Sequence, residues 1–241
     1  KTWTEREVGE QQQQQFAVLL QRRQRGEPIA YLIGSRGFWT LDLRVNASTL
    51  IPRPETELLV ELALEKLADT AAARILDLGT GTGAIALAIA SENNQWQVLA
   101  CDVQAEAVAL AQDNGQQNKI HNVEFLQSNW FAQIPAQQFD LIVSNPPYID
   151  PADPHLAQGD VRFEPRSALV AAGKGLADIR HIIQQAQAYL KPGAWLLLEH
   201  GYDQGPAVRE LLHTQGYSAV ATLQDIAGMD RVSLAQYPAT A

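Results

Sequence analysis

The chain has 241 residues, of which 46% are hydrophobic and 19% charged, with a net charge of −9 and a pI near 5.0. That length holds one large α/β domain, or one such domain plus a small appendage, and the ordinary composition excludes a disordered or fibrous chain. The acidic balance argues against a protein that grips nucleic acid by neutralising many phosphates, and a single cysteine excludes a disulfide framework or a thiolate cage.

His121, His155, His181, His200 and His213 lack the i, i+4 pairing of a helical metal site, so no metal is expected. No apolar run approaches the ~20 residues that span a bilayer and no signal-like segment opens the chain, so it reads as soluble and cytoplasmic.

In chain order, Thr4 and Glu7 have capping-box spacing, and Phe16, Leu19 and Leu20 recur at helical intervals until Gly26 and Pro28 stop the pattern. One helix of about five turns fits, carrying QQQQQ at 11–15 on a solvated surface. Its stripe needs a partner, either in a small helical domain or on the main one. Arg22, Arg23 and Arg25 read as a solvated helix end, with a partner contact as the other possibility.

Residues 28–51 carry β-branched and aromatic residues, alternation in LDLRV and turn signals at Gly34–Gly37, which predicts a hairpin. IPRPETELLVELALEKLA becomes helical from about Glu55. The expected division is a helical region over 1–25, a β-hairpin connector over 26–52 and the main domain over 53–241.

From residue 74 the apolar runs RILDLG, WQVLACD, NVEFLQ, FDLIVS and AWLLLEH recur, most of them separated by helical patterns. Strands this continuously apolar predict an α/β fold with a parallel sheet covered on both faces. YSAVATLQD and DRVSLAQY, separated by IAGM, predict a terminal hairpin whose antiparallel last strand closes the sheet edge.

The turn after the first parallel strand is DLGTGTG, residues 77–83, and it opens directly into a helix. Gly79, Gly81 and Gly83 let backbone approach a ligand closely, and the helix start leaves N–H donors free. Asp102, nineteen residues beyond Gly83 at the next strand end, can accept both hydroxyls of a ribose. Gly79, Gly81 and Ala84 also satisfy the dinucleotide fingerprint, so an NAD enzyme and a mere packing turn stay as alternatives. Asp77 tips the ligand readings, because a carboxylate repels a pyrophosphate and suits the cationic groups of S-adenosylmethionine. Trp130, closing the third strand, is either a stacking surface or a core residue.

SNPPYI, residues 144–149, stops the fourth strand at its carboxyl end, because proline cannot donate to a ladder. Asn145 then faces the cofactor crevice, and Pro147 holds Pro146 extended with its carbonyl exposed. The Asn145 oxygen and the Pro146 carbonyl can accept both hydrogens of a planar NH2 group, with Tyr148 lying against its π system. Such a grip favours a pyramidal nitrogen aimed at a methyl donor.

DLGTGTG, ACD, SNPPYI, DVRFEP and LLLEHG, with IPRPETE ahead of them, resemble the HemK/PrmC family of protein-glutamine N5-methyltransferases, which modify peptide chain release factors. NPPY is shared with nucleic-acid amino-methyltransferases, whereas IPRPETE and RFEP are more specific. The resemblance implies a seven-stranded, Rossmann-like methyltransferase sheet with a C-terminal antiparallel hairpin. It also implies S-adenosylmethionine and, as acceptor, the glutamine of a release-factor GGQ loop. By position, Gly79, Thr80, Gly81, Thr82 and Gly83 resemble the methionine-binding loop, Asp102 the ribose ligand, and Asn129 and Trp130 the adenine side. Asn145, Pro146, Pro147 and Tyr148 resemble the glutamine clamp, with Arg53 and Glu55 on the substrate side. Asn129 departs from the acidic residue the family often places there. The expected partner is a release factor, met by a monomer without membrane or direct nucleic acid. The rivals are an adenine-N6 or cytosine-N4 methyltransferase and a non-catalytic nucleotide-binding module.

Overall fold

The computed structural model describes residues 7–239. Helix α1 spans Glu10–Gln24, capped where the Gln12 side chain accepts the Gly9 N–H at 3.3 Å. The expected cap at Thr4 lies outside the described residues, and Glu7 is irregular, so the described helix starts later than the spacing predicts. Its polyglutamine run is exposed as expected, but so are Phe16, Val18, Leu19 and Leu20, and no residue of α1 is buried. The arginine end is not simply solvated. Arg22 pairs with Glu27, Arg23 reaches Asp160 at 3.1 Å, and Arg162 donates to the Arg25 carbonyl at 3.0 Å. Helix α1 is therefore tied by its last turn to the loop over 154–168.

The expected hairpin over 28–51 begins instead with a short helix, α2 (Ile29–Ile33). Gly34 ends it at φ 77°, donating to the Ala30 carbonyl, so this glycine is a helix stop and not a hairpin turn. Strands β1 (Ser35–Phe38) and β2 (Leu41–Arg44) follow, with Trp39 and Thr40 as the turn. Trp39 holds φ 56° because Glu57 accepts its N–H at 2.8 Å and Glu92 its ring N–H at 2.6 Å.

Beyond helix α3 (Glu57–Lys66), strands β3 (Arg74–Leu78), β4 (Gln97–Asp102), β5 (Val123–Gln127), β6 (Phe139–Ser144), β7 (Leu190–Glu199), β8 (Ser218–Gln224) and β9 (Asp230–Gln236) form one sheet. Its order is β5-β4-β3-β6-β7-β9-β8. The first five strands are parallel, and β9 runs antiparallel to both its neighbours. The last strand thus lies inside the sheet, and β8 forms the edge. Val232 to Ala235 are buried in β9 whereas no residue of β8 is, because β9 has a strand on each side and β8 on one only.

Helices α4 (Ala84–Glu92), α5 (Ala105–Gln117), α6 (Ala177–Ala186) and α7 (Gly205–Thr214) complete the layers. Helix α7 was not anticipated, although Pro206 in its first turn is a helix-start signal. Successive strand residues serve opposite faces: Ile75 packs with Leu59, Leu62 and Leu87, whereas Leu76 packs with Ile142, Ile179 and Leu196. Chain order reverses direction between β3 and β6, which opens a crevice at their carboxyl ends. No helix among the described residues is long and apolar enough to cross a membrane.

Candidate active site

Beyond β3 the chain turns sharply because Gly79 and Gly81 adopt φ 73° and 55°, a region closed to most side chains. The N–H groups of Gly79 and Thr80 both donate to the Cys101 carbonyl at 2.9 Å, and Gly81 donates to Asp102 Oδ2 at 3.0 Å. Asp102 Oδ1 accepts the Gln104 N–H at 2.9 Å, so backbone donors set the carboxylate's orientation, while burial raises its pKa. Asn114, fully buried on α5, donates to the carbonyls of Thr82 at 2.9 Å and Arg44 at 3.1 Å. It also accepts the Arg44 N–H at 2.7 Å, stitching β2 to the loop.

The loop borders a cavity of about 260 Å³. It brings together Arg53, Gly79, Thr80, Gly81, Thr82, Asp102, Asn129, Trp130, Asn145 and Pro147 of the residues expected at a site. The Trp130 ring packs against the core, as one of its two readings has it, and also faces Gly79, where a Cβ would lie 3.5 Å from it. Asn129 is exposed at the rim, its N–H bonded to Gln133 at 3.0 Å. Thr49, Thr56, Ser128 and Asp178 also line the cavity and were not anticipated. Thr49 Oγ1 is buried without a partner, an orphaned hydroxyl that suits a polar ligand.

Five expected residues lie behind the wall. Asp77 is fully buried, its Oδ2 accepting the Thr80 hydroxyl at 2.7 Å and its Oδ1 unpartnered. Burial pushes its pKa up to about 7, with Asp102 adding repulsion, so it supports the loop from beneath. Gly83 serves packing, because a Cβ there would lie 3.1 Å from Ala111 and Leu87. Glu55 lies near Glu199, raising that residue's pKa. Pro146 is buried as a residue, and no N–H of the described residues bonds its carbonyl, the group expected to be exposed. Tyr148 packs into the core, its phenol donating to Glu199 Oε1 at 3.2 Å and its pKa raised by burial and by that carboxylate.

Four contacts pin SNPPYI. Ser144 Oγ donates to the Leu78 carbonyl at 2.7 Å. Asn145 Nδ2 donates to Thr56 Oγ1 at 3.3 Å, which turns its Oδ1 the other way. Gln204 Nε2 donates to the Tyr148 carbonyl at 2.9 Å. Ile149 exchanges backbone bonds with Leu169 and Ala171 at 2.9 and 3.1 Å. Arg53 Nη2 holds both oxygens of Glu164 at 2.8 and 2.7 Å, clasping the PRPETE and RFEP segments over the cavity. Both segments stood in the sequence, but their pairing did not.

A doubly covered parallel sheet, a glycine loop with a ribose-type carboxylate, and an Asn-Pro-Pro-Tyr edge on one crevice define a Rossmann-like methyltransferase. Residues 55–163 match the family described as Methyltransferase small domain, and residues 2–34 match the PrmC N-terminal domain. The release factor glutamine methyltransferase of Salmonella typhimurium is 58% identical over 226 residues, covering 94% of this chain and 81% of that protein. The Escherichia coli enzyme of the same name is 55% identical over 233 residues, covering 97% and 84%. This chain belongs to the release factor glutamine methyltransferase family. Among solved structures, a methyltransferase from Pyrococcus furiosus shares the fold at TM-score 0.61 and 19% identity, covering 93% of this chain and 100% of that one. A Thermus thermophilus 16S rRNA methyltransferase in complex with AdoMet and guanosine aligns at TM-score 0.60 and 22% identity, covering 84% and 49%.

Proposed function

We propose that this protein transfers a methyl group from S-adenosylmethionine to the side-chain amide nitrogen of the glutamine in the GGQ motif of peptide chain release factors. The observation that carries the reading is the orientation of Asn145. With Nδ2 committed to Thr56, its Oδ1 is the end left for an incoming N–H.

S-adenosylmethionine, when bound, supplies an electrophilic methyl group on a sulfonium. Asp102 accepts ribose hydroxyls with the lone pairs its backbone bonds leave unused, Trp130 provides the wall for the adenine, and the Thr49 hydroxyl serves the polar tail. Asn145 Oδ1 and the Pro146 carbonyl each accept one hydrogen of the glutamine NH2. An amide nitrogen is a poor nucleophile because its lone pair is delocalised, and this grip favours the pyramidal form that exposes it. The nitrogen would take the methyl as its bond to sulfur breaks, leaving a neutral thioether, and, cationic only once the methyl has arrived, would give up one of its two protons to water, so the site needs no strong base beforehand.

A protein acceptor in the cytoplasm, met by a single copy of this chain, suits the net charge of −9. Of the Arg22, Arg23 and Arg25 cluster, the side chains of Arg22 and Arg23 are paired within the chain, with Glu27 and Asp160. The test is incubation with labelled S-adenosylmethionine and either a release factor or DNA, followed by peptide mapping. Label on the GGQ glutamine is expected, and label on DNA alone overturns the reading. Asn145→Ala keeps cofactor binding and loses transfer, each lost hydrogen bond costing about 1–3 kcal/mol.

A further inference from the structure

Gln204 stands just before α7, and its side-chain amide ties three segments together. Its Oε1 accepts the Gly201 N–H at 2.8 Å, while its Nε2 donates to the Tyr148 carbonyl at 2.9 Å and to the Lys174 carbonyl at 3.1 Å. Turning the amide round would set its oxygen against two carbonyls and its NH2 against an N–H, so the direction of all three bonds is fixed.

We infer that Gln204 is a positioning residue for the glutamine clamp, fixing where the SNPPYI turn stands by holding the Tyr148 carbonyl. This rests on the clamp reading above. The turn needs a hold from outside because Pro146 and Pro147 bring no N–H that could fasten it. Thr56 holds its first part through Asn145 Nδ2, and Gln204 holds its last part. Pro147 alone separates Tyr148 from Pro146, and its ring fixes φ, so a shift at Tyr148 is passed on to the Pro146 carbonyl.

The loop on the other side of Gln204 is strained. Gly173, Lys174 and Gly175 adopt φ 63°, 60° and 77° in succession, a region that a lysine rarely occupies. Such a conformation persists only where its surroundings impose it, and Gln204 fastens the carbonyl of that lysine. Gly175 in turn packs so closely on the Tyr148 carbonyl and Gln204 Nε2 that a Cβ has no room. Gln204 is itself anchored to the sheet. The Gly201 carbonyl accepts the Gln204 N–H at 3.0 Å and His200 Nδ1–H at 2.8 Å. His200 is fully buried, and its Nε2 meets Ser233 Oγ of β9 at 2.8 Å.

The experiment compares Gln204→Glu, Gln204→Ala, Thr222→Val and Asn145→Ala in methyl transfer to a release factor, with thermal melts as a check on folding. Glutamate keeps the size of the side chain and the acceptor for Gly201, but it turns an oxygen toward both carbonyls. Gln204→Glu is therefore expected to lower kcat about tenfold or more, the worth of one hydrogen bond lost and reversed. Gln204→Ala, which frees the carbonyl without repelling it, falls between Gln204→Glu and wild type, and it decides alone where Gln204→Glu does not fold. A change confined to the turn leaves the Kd for S-adenosylmethionine and the KM for the release factor within about twofold. Thr222→Val removes a hydroxyl bonded to Arg209 at 2.7 Å and Ser233 at 2.8 Å on β8, two strands beyond β7. It lowers the melting temperature and keeps kcat. Gln204 variants within about twofold of wild type in kcat, with Asn145→Ala inactive, overturn the role of Gln204 however far they lower the melting temperature. So does a kcat loss in Thr222→Val equal to theirs. An active Asn145→Ala overturns the clamp reading itself.

Discussion

Substituting Gly175 with alanine tests whether the placement of SNPPYI governs transfer. Gly175 sits at φ 77°, and a Cβ there would lie 1.9 Å from the Tyr148 carbonyl oxygen, 2.6 Å from its carbon and 2.7 Å from Gln204 Nε2. Ordinary contact begins at 3.4 Å, so the carbonyl must retreat by about 3.4 − 1.9 = 1.5 Å. Ile149 is fastened to Leu169 and Ala171, so the displacement runs back toward Asn145, and the Gln204 bond to the Tyr148 carbonyl is lost. A misplacement of about 1 Å in a reacting group can cost ~100-fold in rate. Left-handed backbone costs alanine a further ~1–2 kcal/mol of stability.

Gly173→Ala separates these two effects, because Gly173 has φ 63° yet its nearest atoms lie 3.9 and 4.0 Å from a Cβ. In a labelled-methyl assay on a release factor, Gly175→Ala is expected to lose ~100-fold in kcat while calorimetry gives an unchanged cofactor affinity. Gly173→Ala keeps most of its activity. A Gly175→Ala enzyme within about threefold of Gly173→Ala would refute the argument that the turn's position controls the reaction.

Asp102→Ala removes the proposed ribose acceptor and the anchor of the Gly81 N–H, and calorimetry should show cofactor binding weakened by about 1.5–3 kcal/mol. Unchanged affinity would contradict the site. Arg53→Ala leaves the Glu164 carboxyl, whose side chain has no exposed surface, without its cation. A stability loss of about 3 kcal/mol in urea unfolding is expected, and an unaltered midpoint would show that the clasp holds nothing. Asp77 and Glu199 have ordinary pKa values of 3.8 and 4.5 and are both raised to about 7. Between those values the folded chain binds more protons than the unfolded one, so stability falls as pH rises from about 4 to about 7 and then levels. Asp77→Asn keeps an acceptor for Thr80 and removes that penalty, raising stability at pH 8 by on the order of 4 kcal/mol. Parallel stability profiles for the Asp77→Asn variant and the wild type from about pH 4 to 8 would refute this.

Much of the molecule could be read locally. The parallel strands announce themselves as apolar runs, and the glycine loop, Asp102 and Asn145 each mark a strand's carboxyl end. Errors arose where one local signal has two uses. Gly34 and Gly37 suggested a turn, but Gly34 stops α2 and the hairpin turns at Trp39. Two successive strand patterns cannot say which lies at the edge: β8 (SAVATLQ) is no less apolar than β9 (DRVSLAQ), yet β9 lies inside.

The sequence by itself determined which residues stand at the strand ends: residue types and spacings along single strands and turns place the glycine loop, Asp102 and Asn145 there, the groups on which the proposed nucleoside site and NH2 grip rest. Only the tertiary structure decided what holds those groups in place. Thr56 lies 89 residues from Asn145, Glu199 lies 51 from Tyr148, and Glu164 lies 111 from Arg53. Hydrogen-bond direction and burial belong to groups that meet across the fold, and no periodicity in the chain records those meetings. The same holds for Asp77, which looked like a ligand contact and became a support once the loop closed over it.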